Sequence, residues 1–268
     1  AIDGYGFTSE YLAKINNNRP VLYLDDMHHL PSYPVRFLLN QNLSANASAY
    51  AGLVLPSTTL MLGPAFSLLR RDFRNAKKPQ VNRESPALHR VLVTMGGSDD
   101  ENHTVRILRQ LAKTCSREMV AVVLTGPSYR WLAELHATFA EVPMVIEHHH
   151  AVTNVASVMA SVDAAISAGG STVWELLAMS VPAVIVCVSP DQMLGQQSLT
   201  SVPLFYPLHI SDASTTDLGG ILDALWKTSR DQRAPRFDAS GAVRTVDILR
   251  KALAACGTHG DLTAGTPS

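Results

Sequence analysis

Short apolar segments alternate with amphipathic segments along most of this 268-residue chain. The apolar runs are rich in Val, Ile, Leu and Ala and lack the alternation of a half-exposed strand, so they indicate strands buried on both faces. Helical patterns lie between many of these runs, which is the order expected of βαβ units. We therefore predict an α/β protein built on parallel sheets, with helices on both sides.

The predicted strands span residues 21–24, 37–40, 52–55, 91–95, 120–125, 144–147, 163–167, 183–188 and 205–208. The predicted helices span residues 104–113, 129–139, 152–160, 172–179 and 217–228. The first residues, AIDGYGFTSEY, read as the end of a strand and lack the basic and apolar regions of a signal peptide. We therefore expect the chain to be a fragment whose natural start is missing.

A polar segment with two prolines, residues 76–89, is predicted to be an interdomain linker. Residues 1–75 contain too few elements for an independent α/β domain and predict a partial, N-terminal Rossmann-like domain. Residues 90–254 predict a complete Rossmann-like domain, and residues 255–268 a disordered tail.

Composition predicts a soluble globular protein, because 46% of the residues are hydrophobic and 17% are charged. The formal net charge of −1 gives no general attraction to nucleic acid or to a membrane surface, and neither is expected as a partner. The longest apolar run, residues 181–188, contains Pro182 and is shorter than the ~20 residues of a membrane span. Cys115, Cys187 and Cys256 lie far apart, which suits a reducing cytoplasm.

A glycine-rich turn follows the predicted strand in VLVTMGGSDDENHT. Ser98 and Glu101 have the spacing of a capping box, which would explain the turn without any ligand. Asp99 and Asp100 add negative charge at the predicted helix start, where they would repel a phosphate. Contact with a ligand through Gly97 or Ser98 and a purely structural turn both remain open.

A second glycine-rich turn in DAAISAGGSTVWELL differs in its charge. Gly169, Gly170 and Ser171 precede a helix start that carries no acid before Glu175, so its backbone N–H groups predict an anion site. The alternative is a capping box formed by Thr172 and Glu175. Glu175 is also placed to accept the two hydroxyls of a ribose, as acids do in dinucleotide-binding folds.

Neither turn has the glycine spacing of a nicotinamide or flavin site or of a P-loop, so no cofactor is expected. Two histidine runs, His28-His29 and residues 148–150, do not predict a metal site, because consecutive side chains of an extended segment point to opposite faces. Asp25 and Asp26 follow a predicted strand, and turn formation is favoured for them over acid–base work or cation binding.

Seven segments together resemble a known family. They are IDGYGF, PVLYLDD, FLLNQNLSANASAY, LGPAFSLLRRDFR, VLVTMGGSDDENHT, DAAISAGGSTVWELLAMSVPAVIVCVSPDQ and FDASGAVRTVDILRKAL. In this order they resemble the UDP-2,4-diacetamido-2,4,6-trideoxy-β-L-altropyranose hydrolases of pseudaminic acid biosynthesis, relatives of the spore-coat protein SpsG. The resemblance covers nearly the whole chain, and more distantly it extends to MurG and other GT-B glycosyltransferases.

The resemblance implies a GT-B fold of two Rossmann-like domains, the first of them incomplete here, with UDP held by the C-terminal domain. It implies that Gly170, Ser171 and Thr172 hold the diphosphate, that Glu175 holds the ribose, and that residues 146–154 lie against the uracil. Members of the family release UDP by attack of water at the anomeric carbon, without a metal. The expected partner is therefore a UDP-sugar.

The candidate UDP-binding residues are Gly97, Ser98, Gly126, His149, Gly169, Gly170, Ser171, Thr172, Glu175 and Gln192. The catalytic candidates are Tyr5, which matches a family tyrosine near the sugar, and Asp191, which stands where the family usually has Asn before Gln192. The family's catalytic histidine lies in a G-x-G-H motif, and none of the ten histidines here has that setting. Three functions follow as hypotheses: a UDP-sugar hydrolase, a GT-B glycosyltransferase using a UDP-sugar, or a catalytically incomplete nucleotide-sugar-binding protein.

Overall fold

The structure is a computed structural model, and it describes residues 1–76, 90–115, 119–189, 192, 198–231 and 238–257. By packing, the chain divides into two compact units, one of Ala1–Leu69 with Asp238–Ser268 and one of Arg70–Phe237. Each unit is built around its own parallel sheet, and the prediction of an α/β fold is therefore confirmed.

The first unit contains a four-stranded sheet in the order β1-β2-β3-β4. Its strands and α-helices are β1 (Ile2–Asp3), α1 (Ser9–Asn16), β2 (Leu22–Leu24), β3 (Phe37–Asn40), β4 (Thr59–Leu62) and the last helix that the structure describes, α8 (Gly241–Gly257). The side chains of β3 alternate between two clusters. Leu38 packs with Leu12 of α1, whereas Phe37 and Leu39 pack on the face that Ile248 of α8 covers.

The second unit contains a six-stranded parallel sheet in the order β10-β9-β8-β5-β6-β7. Its strands are β5 (Arg90–Thr94), β6 (Val120–Thr125), β7 (Val145–His150), β8 (Ala164–Ala168), β9 (Ala183–Cys187) and β10 (Phe205–His209). Its helices are α2 (Arg71–Asn75), α3 (His103–Thr114), α4 (Leu132–Glu141), α5 (Val155–Met159), α6 (Thr172–Met179) and α7 (Leu218–Asp231). If β5 is numbered as strand 1 and β10 as strand 6, the order read from β7 is 3-2-1-4-5-6. This is the strand order of a doubly wound Rossmann sheet.

Burial on both faces of the central strands confirms the reasoning from their composition. Val91, Leu92 and Val93 are consecutive in β5, and each is 0% exposed, as are Ala164 and Ala165 of β8. A strand whose neighbouring side chains are all buried must be covered from both sides. The helices supply that cover.

The apolar run at residues 181–188 forms an interior strand of this sheet. Its strand, β9, pairs with β8 on one side and with β10 on the other, and Val184, Ile185 and Val186 are fully buried. Across the described ranges, no helix is both long enough and apolar enough to cross a membrane.

One predicted strand is wrong, and four of the helices and strands are new. Residues 52–55 form a turn with a single bridge from Val54 to Tyr33, and the strand lies instead at Thr59–Leu62. Gly52 has φ +77°, which is incompatible with an extended strand, and Pro56 lacks the N–H that a strand ladder needs. The helices α1, α2 and α8 were not among the predicted elements, nor was the strand β4.

The compact units differ from the predicted domain boundaries at two places. The helix α2, inside the predicted first domain, packs against α5 and α6 of the second unit. The helix α8, which begins inside the predicted second domain and continues to Gly257, belongs to the first unit. A boundary drawn along the sequence cannot reveal such a return of the chain. Residues 77–89 of the predicted linker and 258–268 of the predicted tail lie outside the described residues.

The close packing of α8 against the first unit can be tested at its first residue. A Cβ added to Gly241 would lie 2.3 Å from the Ser67 carbonyl oxygen and 2.5 Å from the Phe66 carbonyl carbon. Helix propensity alone favours Ala over Gly. The steric conflict should nevertheless make Gly241→Ala destabilising by about 1–3 kcal/mol.

Thermal unfolding followed by circular dichroism measures this effect as a fall in melting temperature of about 4 °C or more. The matched control is Gly6→Ala in the same unit, where an added Cβ meets no described atom within 4 Å. A Gly241→Ala protein as stable as this control would show that the helix start is not tightly packed.

Candidate functional site

Two neighbouring strands at the centre of the second sheet have connections that leave in opposite directions. Strand β5 pairs with β8, with Val93 opposite Ile166 and Thr94 opposite Ser167. From β5 the chain continues to β6 on one side, and from β8 it continues to β9 on the other. A crevice opens at the carboxyl ends of such strands and is the usual ligand site of doubly wound sheets. Both predicted glycine turns lie at this point.

The turn after β5 is closed by a carboxylate. Asp99 is 6% exposed, and its two oxygens accept the backbone N–H groups of His103 and Thr104, each at 2.8 Å. The predicted capping box of Ser98 and Glu101 is therefore wrong, because the helix begins two residues beyond Glu101 and Asp99 reaches its N–H groups instead. The start of α3 is thereby neutralised, and only the backbone before Asp99 remains for an anion.

The turn after β6 lies against the turn after β5. A Cβ on Gly126 would be 2.3 Å from the Gly97 carbonyl oxygen, so the two backbones approach as closely as glycine permits. Tyr129 donates a hydrogen bond to the Asn102 side chain at 2.6 Å and fixes the two turns together. Burial raises the pKa of Tyr129, with Asp99 and Glu134 adding to the effect. Gly97 itself is exposed.

The turn after β8 is open. Gly170 and Ser171 are exposed, and the Ser171 side chain makes no capping hydrogen bond within the described part of the chain. The alternative capping box of Thr172 and Glu175 is not formed, because the Glu175 carboxylate is bonded to Arg70. The N–H groups of Val173 and Trp174 in the first turn of α6 donate to the carbonyl oxygens of Gly170 and Ser171, each at 3.1 Å. The exposed backbone of Gly170 and Ser171 at the positive end of the α6 dipole therefore remains for an anion.

Gln192 joins the turn after β8 to the turn after β9. Its side-chain oxygen accepts the Gly169 N–H at 3.2 Å and the Val188 N–H at 3.0 Å. An added Cβ on Gly169 would lie 3.2 Å from the same oxygen, so a side chain there would push against Gln192. Gln192 thus fixes the position of the glycine turn. Asp191 lies outside the described residues.

Glu175 is the carboxylate nearest the open helix start in sequence. Its side chain is 16% exposed, and its Oε1 lies 3.1 Å from Arg70 Nη2. Burial raises the pKa of Glu175, while the charge and hydrogen bond of Arg70 oppose this rise. A partly buried carboxylate one turn into a helix is able to accept hydroxyl groups from a ligand.

The three consecutive histidines of β7 point to alternate faces, as predicted. His148 and His150 each lie within hydrogen-bonding distance of Thr125 Oγ1, at 2.9 and 3.0 Å, whereas His149 bonds to Glu147 at 2.7 Å. Burial and the neighbouring histidines lower the pKa of His148. In the part of the chain that the structure describes, no group of three or more His, Cys, Asp or Glu side chains is arranged to hold a metal ion.

Tyr5 lies in the first unit, at the carboxyl edge of its sheet. It follows β1, is 57% exposed, and donates a hydrogen bond to Asp26 at 2.9 Å. Its ring meets the ring of His29 edge-on at 5.9 Å. The candidate UDP-binding residues are all in the second unit, and of them the structure gathers Gly97, Ser98, Gly126, Gly169, Gly170, Ser171, Thr172 and Gln192 around the carboxyl edge of the sheet.

Three residues with clear structural roles were not among the candidate site residues. Asp25 is 3% exposed and accepts hydrogen bonds from Tyr50 Oη at 2.7 Å and from the His28 N–H at 3.0 Å. The position of Asp25 directly after an apolar strand indicated a turn. The hydrogen bond from the His28 N–H to Asp25 agrees with that interpretation. Asp99 stood out only as one of several acids. Arg70 gave no signal, because its partner Glu175 is 105 residues away.

The chain has recognisable relatives. The UDP-2,4-diacetamido-2,4,6-trideoxy-β-L-altropyranose hydrolase of Campylobacter jejuni is 28% identical over 193 residues, which cover 71% of this chain and 66% of that protein. An uncharacterised protein, MJ1062 of Methanocaldococcus jannaschii, is 26% identical over 170 residues, covering 60% of this chain and 35% of that one. The chain thus spans less than two thirds of the length of each, and the predicted resemblance is confirmed.

Solved structures confirm the predicted GT-B fold. MurG of Acinetobacter baumannii superposes with a TM-score of 0.59 at 16% identity, covering 91% of this chain and 77% of that chain. The Anabaena protein Alr3699/HepE, crystallised with UDP-glucose, gives 0.51 at 14% identity over 92% and 77% of the two chains. The model of the glycosyltransferase family 28 C-terminal domain matches residues 90–234. Because this match covers more than half of the chain, the protein belongs to the glycosyltransferase family 28 C-terminal domain family.

Proposed function

We propose that this chain binds a UDP-sugar and that the protein hydrolyses it, releasing UDP from a 2,4-diacetamido-2,4,6-trideoxyhexose in pseudaminic acid biosynthesis. The observation that carries the proposal is the open start of α6 after Gly169 and Gly170, beside the point where the sheet connections diverge. The Campylobacter relative, which is named as a hydrolase of such a UDP-sugar, supports the choice of reaction.

The diphosphate is assigned to the turn after β8. An exposed helix start offers several N–H donors and the positive end of the helix dipole to a phosphate. Gly170 and Ser171 are exposed there, and a Cβ added to Gly170 would meet no described atom within 4 Å. The start of α3 offers no comparable site, because the Asp99 carboxylate occupies it. Charge therefore favours the second turn for the diphosphate.

The nucleoside is assigned to the neighbouring residues. Glu175 is proposed to accept the ribose hydroxyls, and residues 146–154, including His149, to lie against the uracil. The exposed backbone of Gly97, with Ser98 and Gly126 beside it, is proposed to complete the UDP site. A protein of the same fold, Anabaena Alr3699/HepE, was crystallised with UDP-glucose, which supports a uridine nucleotide as the ligand.

In the proposed reaction, a water oxygen bonds to the anomeric carbon while the bond from that carbon to the β-phosphate oxygen breaks. UDP leaves with the electron pair, and the water proton passes to a base. The helix start of α6 would stabilise the negative charge that grows on the departing phosphate. Tyr5 is proposed to contact the sugar, and Asp191 is the second catalytic candidate.

A carboxylate placed at the helix start should abolish diphosphate binding. In Gly170→Asp the new charge would lie directly before the N-cap residue Ser171 and would repel the diphosphate of UDP. Calorimetry with UDP should show an affinity at least ~10-fold below wild type, which is about 1.4 kcal/mol.

The matched control is Gly170→Asn, which has the same shape without the charge. It should lose less affinity than Gly170→Asp. The melting temperature of Gly170→Asp should stay close to that of wild type, because a Cβ added there meets no described atom within 4 Å. Equal UDP binding by the two variants would place the diphosphate elsewhere.

The reaction itself is tested with the UDP-sugar and no acceptor. The protein should release UDP and free 2,4-diacetamido-2,4,6-trideoxyhexose, which can be followed by chromatography and NMR. Membership of a glycosyltransferase family makes a transferase the second candidate. UDP release that begins only when an acceptor is added, with formation of a glycoside, would favour the transferase. UDP binding without turnover in either case would favour a protein that only binds nucleotide-sugars.

A further inference from the structure

Arg70 and Glu175 form an ion pair between two helices of the second unit. Arg70 directly precedes α2, and its Nη2 lies 3.1 Å from Oε1 of Glu175 in α6. The guanidinium carbon also lies 5.3 Å from the ring centroid of Phe73, which is 4% exposed, and Arg70 Nε is 4.0 Å from Asp72 Oδ1. The Arg70 side chain thus contacts Glu175, Phe73 and Asp72, although it is 48% exposed.

The two side chains of this ion pair are buried to different extents. The Glu175 side chain is 16% exposed, whereas that of Arg70 is 48% exposed. A carboxylate removed from water loses hydration, and a nearby cation is what keeps it ionised. Burial accordingly raises the pKa of Glu175, Arg70 lowers it, and Asp72 contributes a smaller rise. The helix α5 and strand β8, which also pack against α6, contribute no ionisable side chain.

The ionised state decides which ligand groups Glu175 is able to bind. An ionised carboxylate has about four acceptor positions, and a protonated one has fewer and carries a donor. Arg70 uses one position on Oε1 with its Nη2 donor. Acceptor capacity remains for two vicinal hydroxyl groups, which both donate to an acid in the nucleotide-binding folds.

We infer that Arg70 is a positioning residue of the nucleotide site, which holds Glu175 ionised and oriented so that the carboxylate selects a ribose over a 2′-deoxyribose. The inference rests on the proposed assignment of Glu175 to the ribose. It adds a residue that acts through Glu175 and the discrimination of UDP from its 2′-deoxy counterpart.

The selection is measured as the ratio of affinities for UDP and 2′-deoxy-UDP, obtained by calorimetry. These ligands share the base and the diphosphate, so the ratio isolates the 2′-hydroxyl. Wild type should prefer UDP by about tenfold or more, which is the value of one hydrogen bond to a charged group. In Arg70→Met the ratio should fall towards one, mainly through weaker binding of UDP.

Matched variants separate this role from others. Arg71→Met removes the same charge from the exposed neighbouring residue and should leave the ratio unchanged. Glu175→Gln should lower the ratio as Arg70→Met does, and the double variant should show no further loss because the two residues act as one unit. Arg70→Lys keeps the charge and should retain most of the preference for UDP. This rescue would show that the loss in Arg70→Met comes from the missing charge and not from misfolding.

The pH dependence gives an independent signature. Ionised Glu175 is the binding form, so the ratio should be highest above its pKa and should fall as the pH drops through it. Removing Arg70 takes away the influence that lowers this pKa, so in Arg70→Met the fall should begin at a higher pH. The titration of the terminal phosphate affects both ligands and cancels in the ratio.

Two results would overturn the inference. An equal loss of UDP and 2′-deoxy-UDP affinity in Arg70→Met would make Arg70 a direct ligand of the phosphates. A ratio unchanged in Glu175→Gln would show that this carboxylate does not bind the ribose. Failure of the proposed function is distinguishable from both, because wild type would then bind neither nucleotide.

Discussion

The pairing of β5 with β8 is the constraint on which the candidate site depends. Parallel strands cannot be joined by a short turn, so each must continue through a crossover, and these two strands send their crossovers to opposite sides. Such a divergence leaves a crevice between the two turns at the carboxyl ends of the strands. Two glycine-rich turns that are about 70 residues apart in the chain become neighbours for this reason. The chemistry of the site follows from what each turn presents there.

Those two turns are similar in sequence but opposite in electrostatic character. One carries its own anion, because the buried Asp99 carboxylate takes the first N–H groups of α3. The other exposes Gly170 and Ser171 at the start of α6 and has its nearest acid, Glu175, turned to Arg70. A helix start is satisfied either by the protein itself or by something that the protein binds. This difference, more than the glycines, distinguishes a structural turn from a candidate ligand site.

Local patterns predicted much of the second unit, because helix and strand periods are properties of short segments. The helix α6 and the strand β6 have the predicted bounds, and the alternation of His148, His149 and His150 follows from extended backbone alone. The sequence was less informative where contacts beyond the local pattern determine the structure. Ser98 has the spacing of an N-cap residue, yet α3 begins only at His103, and the Asp99 carboxylate accepts the N–H group of that residue. This arrangement depends on the φ of +55° at Asn102, directly before the helix. The partnership of Arg70 with Glu175 has no local signature at all.

The return of α8 to the first unit has a consequence for how this protein can be divided. The first unit is discontinuous in sequence, and its sheet face at Phe37, Leu39 and Met61 is covered by a helix encoded after the whole second unit. The second unit is an uninterrupted insertion from Arg70 to Phe237. Genetic exchange of the second unit between relatives would therefore need two crossover points. A ribosome must also finish the second unit before the last helix can cover this face of the first sheet.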